Sequence, residues 1–195
     1  DAGTSTFEVK PGATFKYGGS IATSGATGNV RTDTRTFPTT ASYGFVGSIT
    51  PQDPGTGLPS KMVNIYLDKA SAGNLVTITK DEEITDTLVF YTGIVKTNSS
   101  TINVSNLATN AIKAGNTSGN DKYVQGRLQR KVDGSSTYSF PIGHSSQNAQ
   151  GFTITPTGTS GSDVLGYLES NGTTPVKTVA YCDLETKTAP GQQIG

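Results

Sequence analysis

From Leu58 to Val104 short apolar runs recur about every ten to thirteen residues, a rhythm that belongs to strands joined by tight turns. The runs are Met62-Val-Asn-Ile-Tyr-Leu67, Leu75-Val-Thr-Ile78, Leu88-Val-Phe90, Ile94-Val95 and Ile102-Asn-Val104. The polar stretches between them are too short to hold crossover helices. That leaves an antiparallel β-sandwich or the rungs of a β-solenoid. Asn and Thr at outward positions and single aliphatics inward, with Val63, Ile65 and Leu67 on one face, lean toward rungs. Residues 1–57 continue the theme with apolar pairs such as Phe7 and Val9, Phe15 and Tyr17, Tyr43 and Phe45.

Asn106 to Gly115 is the best helix candidate, with Leu107, Ala111 and Ile112 on one side and Gly115 as a stop. Asn116 to Asp121 is a polar loop. Beyond it, Tyr123 to His144 reads as a hairpin. Val124, Leu128 and Val132 share one side, Asp133-Gly134 supplies the turn, and Tyr138-Ser-Phe140 returns until Pro141 ends the pairing. Further strands are expected at 152–154, 164–168 and 176–182. The expected architecture is therefore all-β: a solenoid-like or sandwich part over 1–115 and a hairpin with a small antiparallel sandwich over 116–184. A polar tail or linker covers 185–195.

Composition bounds the function. Only 32% of the chain is apolar, 24 residues are Gly, and 15 basic residues balance 15 acidic ones. A balanced chain carries no field to draw it to nucleic acid or anionic membrane. No apolar run approaches the roughly 18 residues that cross a bilayer. One His and one Cys are too few for a zinc site, and no cofactor motif is present. Cys182, in an alternating run, reads as a small buried hydrophobe. A start at Asp1 rather than Met fits a processed secreted protein. Sequons stand at Asn98, Asn103, Asn116 and Asn171.

No stretch announces a reaction. A base at His144 would need a nucleophile and an orienting group, and a single loop histidine reads as structural or solvated. Asp81-Glu-Glu83 beside Lys80 reads as a solvated turn, since neighbours in a strand point to opposite faces. Arg127, Arg130 and Lys131 read as the solvated face of one strand. Among the tyrosines, Tyr17, Tyr43 and Tyr91 are the candidates for exposed rings that a sugar could stack on.

Three motifs carry a resemblance to modules of large secreted surface proteins of Bacteroidetes exported by the type IX route. Gly57-Leu-Pro59 precedes the strand Val63 to Leu67. Leu88-Val-Phe-Tyr-Thr-Gly-Ile94 is followed by Ile102-Asn-Val104. Tyr123-Val-Gln-Gly-Arg-Leu-Gln-Arg130 comes before Ser139-Phe-Pro-Ile-Gly143. The resemblance covers roughly residues 40–155 and implies an adhesin or surface scaffold with no catalytic residues. It also makes Asp86-Thr87-Leu88 similar to that phylum's O-glycosylation motif, with Thr87 as acceptor. The expectation is a non-catalytic, extracellular or cell-surface structural and adhesive protein. Its partners would be further copies of itself, surface glycans or other surface proteins. Assembly would proceed by β-strand addition, with Phe7 and Val9 in the donor segment Asp1 to Val9. The alternative is a carbohydrate-binding β-sandwich module.

Overall fold

The computed structural model describes residues 4–23, 27–115, 118, 119, 121–144, 148–157, 161–169 and 179–183. The fold is all-β. In chain order the strands are β1 (Thr6–Glu8), β2 (Thr14–Tyr17), β3 (Thr34–Thr36), β4 (Ser42–Gly47), β5 (Lys61–Lys69), β6 (Leu75–Thr77), β7 (Glu82–Thr92) and β8 (Ile94–Val104). A 3-10 turn at Thr109–Ala111 leads to β9 (Ile112–Lys113), β10 (Ser118–Gly119), β11 (Val124–Val132), β12 (Tyr138–Phe140) and β13 (Ile142–His144). The last are β14 (Asn148–Gln150), β15 (Phe152–Ile154), β16 (Ser162–Glu169) and β17 (Val179–Asp183).

Strands β2, β4, β5, β7 and β9 stack in parallel, in that order, so the chain winds in coils rather than folding back on itself. Phe15, Tyr43, Ile65, Leu88 and Ile112 stand directly over one another, one per coil, and Tyr17, Phe45, Leu67 and Phe90 form a second column. On another wall Gln52, Val76, Val95, Val124 and Ile142 stack. A third wall carries Met62, Ile84, Val104 and Arg130. Because pleated neighbours alternate faces, each inward residue lands on the inward residue of the next coil. These columns are the core, and nearly all their members are buried.

The rung reading is thus the one the parallel pairing matches. The second part supplies antiparallel pairs, β11 with β16, β16 with β17, β13 with β14, and β12 with β15. Strands β8 and β11 pair across the position-115/116 boundary drawn on the sequence, and one cluster of buried side chains runs from Val9 to Val164.

Three local expectations need correction. The hairpin is absent: β11 has β8 along one edge and β13 and β16 along the other, so no edge is left for β12, which pairs with β15. Asn106 to Gly115 holds a 3-10 turn and the short strand β9 in place of an α-helix, because Asn106 Oδ1 accepts from the Ala108 N–H while Arg130 takes the Ala108 and Thr109 carbonyls a helix would use. Val63 is half-buried, because the register slips between Met62 and Asn64 and Met62 takes the inward place.

Candidate functional site

The ionisable groups that leave solvent serve the core. Glu82 precedes Ile84 by two residues on β7, so it points inward, against the solvated-turn reading. It is 2% exposed, and burial, with Asp81 adding, pushes its carboxyl up to about 8 against the lowering pull of Lys80. Arg130 follows Leu128 by two and is likewise fully buried rather than solvated. It donates to the carbonyls of Ser139, Ala108 and Thr109, and its guanidinium lies 4.8 Å from the Tyr138 ring centre. Buried charge of this kind is tolerated only with such partners.

A shallow groove of about 240 Å³ runs over the outer face of the third wall, lined by Ser60, Asp81, Glu82, Glu83, Thr101, Asn103 and Gln129. Its outer carboxylates are already engaged. Asp81 accepts the Thr101 N–H at 2.8 Å, and Glu83 accepts from Lys61 Nζ and Ser105 Oγ at 3.1 Å each. Those bonds, Lys61 chief among them, hold the Glu83 carboxyl below its usual range despite desolvation. No group of three His, Cys, Asp or Glu among the described residues is placed to hold a metal. His144 ends β13 against Asn148, in no such group.

A different outer face carries the aromatic surface. Lys16, Gly44 and Tyr66 occupy matching positions on β2, β4 and β5; on β7 Val89 continues that row, and Tyr91 stands two residues on, where the register slips between Leu67 and Asp68. The Tyr66 and Tyr91 rings lie 6.5 Å apart and within 13° of parallel. Tyr91 is 53% exposed. Gly44 leaves a gap that the Lys16 stem fills: a Cβ there would stand 2.7 Å from Lys16 Cγ. Laid across that gap, Lys16 brings Nζ to 5.8 Å from the Tyr91 ring centre and 3.5 Å from Asp68 Oδ2.

The residues singled out from sequence meet different ends. Tyr91 is exposed as expected, but Tyr17 and Tyr43 are buried, at 3% and 0% exposure, so no sugar reaches their rings. Both follow the inward parity of their strands, burial raises both phenols, and Tyr43 donates to the Pro38 carbonyl at 2.9 Å. Thr87 lies in register with Asn64 and is 5% exposed, which covers its hydroxyl in the folded chain. Phe7 pairs opposite Arg35 within the parallel β1–β3 pair, and the Val9 N–H reaches the Thr36 carbonyl, so this segment is ordered in its own chain. Residues 1–3, the start of that segment, lie outside the described residues, as do Asn116, Asn171 and the tail. For Cys182 only the backbone is described, opposite Gly166. Sequence reasoning passed over Tyr66, Lys16 and Asp68. The signal was parity, since Tyr66 stands between the inward Ile65 and Leu67.

Comparison with family models, curated proteins and solved structures finds no match to this chain.

Proposed function

We propose that this chain is a non-catalytic structural and adhesive protein of the cell exterior that associates with further copies of itself along its first coil. The observation that carries this reading is the state of the strand edges there. Among the described residues β1 pairs only with β3 and β2 only with β4. Thr34 N–H reaches the Ser5 carbonyl at 3.1 Å, and Val9 N–H reaches the Thr36 carbonyl at 3.0 Å. Alternate residues of a parallel strand address the same neighbour, so Thr6 and Glu8 send their backbone groups to the open side. The Ser42 N–H bond to the Ala13 carbonyl sets the same alternation on β2, where Thr14 and Lys16 face outward from the stack.

Beside these edges Phe7 and Phe15 are half-buried, their rings 5.3 Å apart. A stack of coils needs a polar cap to stay single, and open edges are templates for another strand. At the far end β17 pairs only with β16 among the described residues. A head-to-tail contact between unlike ends propagates as a filament when it does not close. Surface placement and the likeness to Bacteroidetes surface modules belong to the same reading, supported by the Ser/Thr/Gly-rich composition.

Negative-stain electron microscopy beside size-exclusion chromatography tests it. The native chain should form fibres or elute as concentration-dependent oligomers. The double variant Thr6→Pro/Thr14→Pro removes only outward-facing N–H groups and should stay monomeric and folded. A monomer at every concentration for the native chain would reject the reading.

A further inference from the structure

We propose that the outer face bearing Tyr66, Tyr91, Lys16 and Asp68 is a binding site for a neutral pyranose oligosaccharide. This inference does not rest on the assembly reading. Of the three exposed large hydrophobic side chains among the described residues, Ile49, Tyr91 and Leu107, Tyr91 is backed by a second ring, Tyr66, in a near-parallel pair. The face of a tyrosine ring carries negative potential. The axial C–H groups on one side of a pyranose are weakly positive and apolar, so that side of the sugar matches the ring.

The polar groups near the ring fit the rest of a sugar. A hydroxyl both donates and accepts, whereas Lys offers donors alone and an ionised Asp acceptors alone. Lys16 Nζ, over the Tyr91 ring at 5.8 Å from its centre, and Asp68 Oδ2, 3.5 Å from that nitrogen, supply one of each at this face. The row is also pre-set, because Gly44 lets the Lys16 stem lie flat against the sheet. Preorganisation of this kind lowers the cost of ordering a long side chain on binding. The Lys16–Asp68 pair cancels its own charge, which favours a neutral sugar over an anionic one.

Saturation-transfer NMR with cellohexaose, laminarihexaose, xylohexaose and mannohexaose, followed by titration, is the test. At least one hexasaccharide should receive saturation from the native chain. Tyr91→Ala and Asp68→Asn should each weaken its binding at least tenfold, with thermal unfolding unchanged, since both side chains are exposed. Lys16→Met, which keeps the stem, should also weaken it. The Thr6→Pro/Thr14→Pro variant should bind as the native chain does, which separates this site from assembly. Silence from all four sugars, or binding that survives Tyr91→Ala, would overturn the proposal.

Discussion

Lys69 Nζ donates to Gln52 Oε1 at 2.6 Å inside the stack, with the lysine 3% exposed and the glutamine fully covered. The same ammonium reaches the Val46 carbonyl at 3.0 Å, and burial lowers its pKa. Gln52 in turn donates to the carbonyls of Tyr17 and Gly19 at 3.0 and 2.8 Å. A polar residue at the head of an otherwise aliphatic column thus ties the first coil to the second and third.

That tie predicts a coupled pair. Gln52→Leu leaves a buried ammonium short of its best acceptor and should cost about 2–3 kcal/mol. Lys69→Met should cost a similar amount by orphaning the glutamine oxygen. The double variant should lose clearly less than the two losses added, measured by urea unfolding in a double-mutant cycle. Additive losses would show that the two side chains act separately.

Glu82 predicts a pH dependence. Its folded pKa of about 8 lies above the ordinary 4.5, so the folded chain keeps a proton that the unfolded chain releases. The contribution is whole below about pH 4.5 and is lost as pH rises through about 8. Stability should therefore fall across that window, and Glu82→Gln, neutral throughout, should remove this part of the decline. Denaturant midpoints at a series of pH values measure it. An unchanged slope in the variant would contradict the burial of this carboxyl.

Gly126 predicts a steric cost. It stands at φ +126°, where β11 shifts register against β8, and a Cβ would come within 2.2 Å of Thr97 Oγ1. That oxygen accepts the Arg127 N–H at 2.8 Å. Gly126→Ala combines a backbone penalty of about 1–3 kcal/mol with displacement of the fully buried Thr97. Gly12, at φ +77°, has open space around its missing Cβ. Gly12→Ala should therefore show the backbone penalty alone and be the milder change in thermal unfolding.

Arg130 predicts a hydrogen-bonding cost. Arg130→Met keeps a long apolar stem but leaves the Ala108, Thr109 and Ser139 carbonyls without their donor. Stability should fall by about 3 kcal/mol. The 3-10 turn at Thr109–Ala111 should loosen with it, visible as faster amide exchange at Ala111, whose N–H bonds the Ala108 carbonyl.

Strand positions and the all-β class were legible in the sequence because each coil repeats the alternation that builds it. Ile65, Leu88 and Val95 sit inward as their runs imply. Partners were less legible. Which strand β11 meets depends on coils distant in sequence, so a nearby Asp-Gly turn suggested a hairpin whose edges were already taken. Burial of charge was hidden by residue type, since Glu82, Arg130 and Lys69 look solvated until their parity is followed through the strand. Tyr17 and Tyr43 failed as sugar platforms for the same reason. The aromatic face was invisible in one dimension, because Lys16, Gly44, Tyr66 and Tyr91 belong to four different coils.

The most direct test of the account is backbone amide exchange at Thr6, Glu8, Thr14 and Lys16, read by NMR or mass spectrometry at low and high protein concentration. In dilute protein these amides should exchange fast while Val9, whose N–H bonds the Thr36 carbonyl, is slower. In assembled protein all four should become protected as a second copy pairs with the open edges. Protection already present in the monomer, or none gained in the assembly, would contradict the claim that the first coil is where copies join.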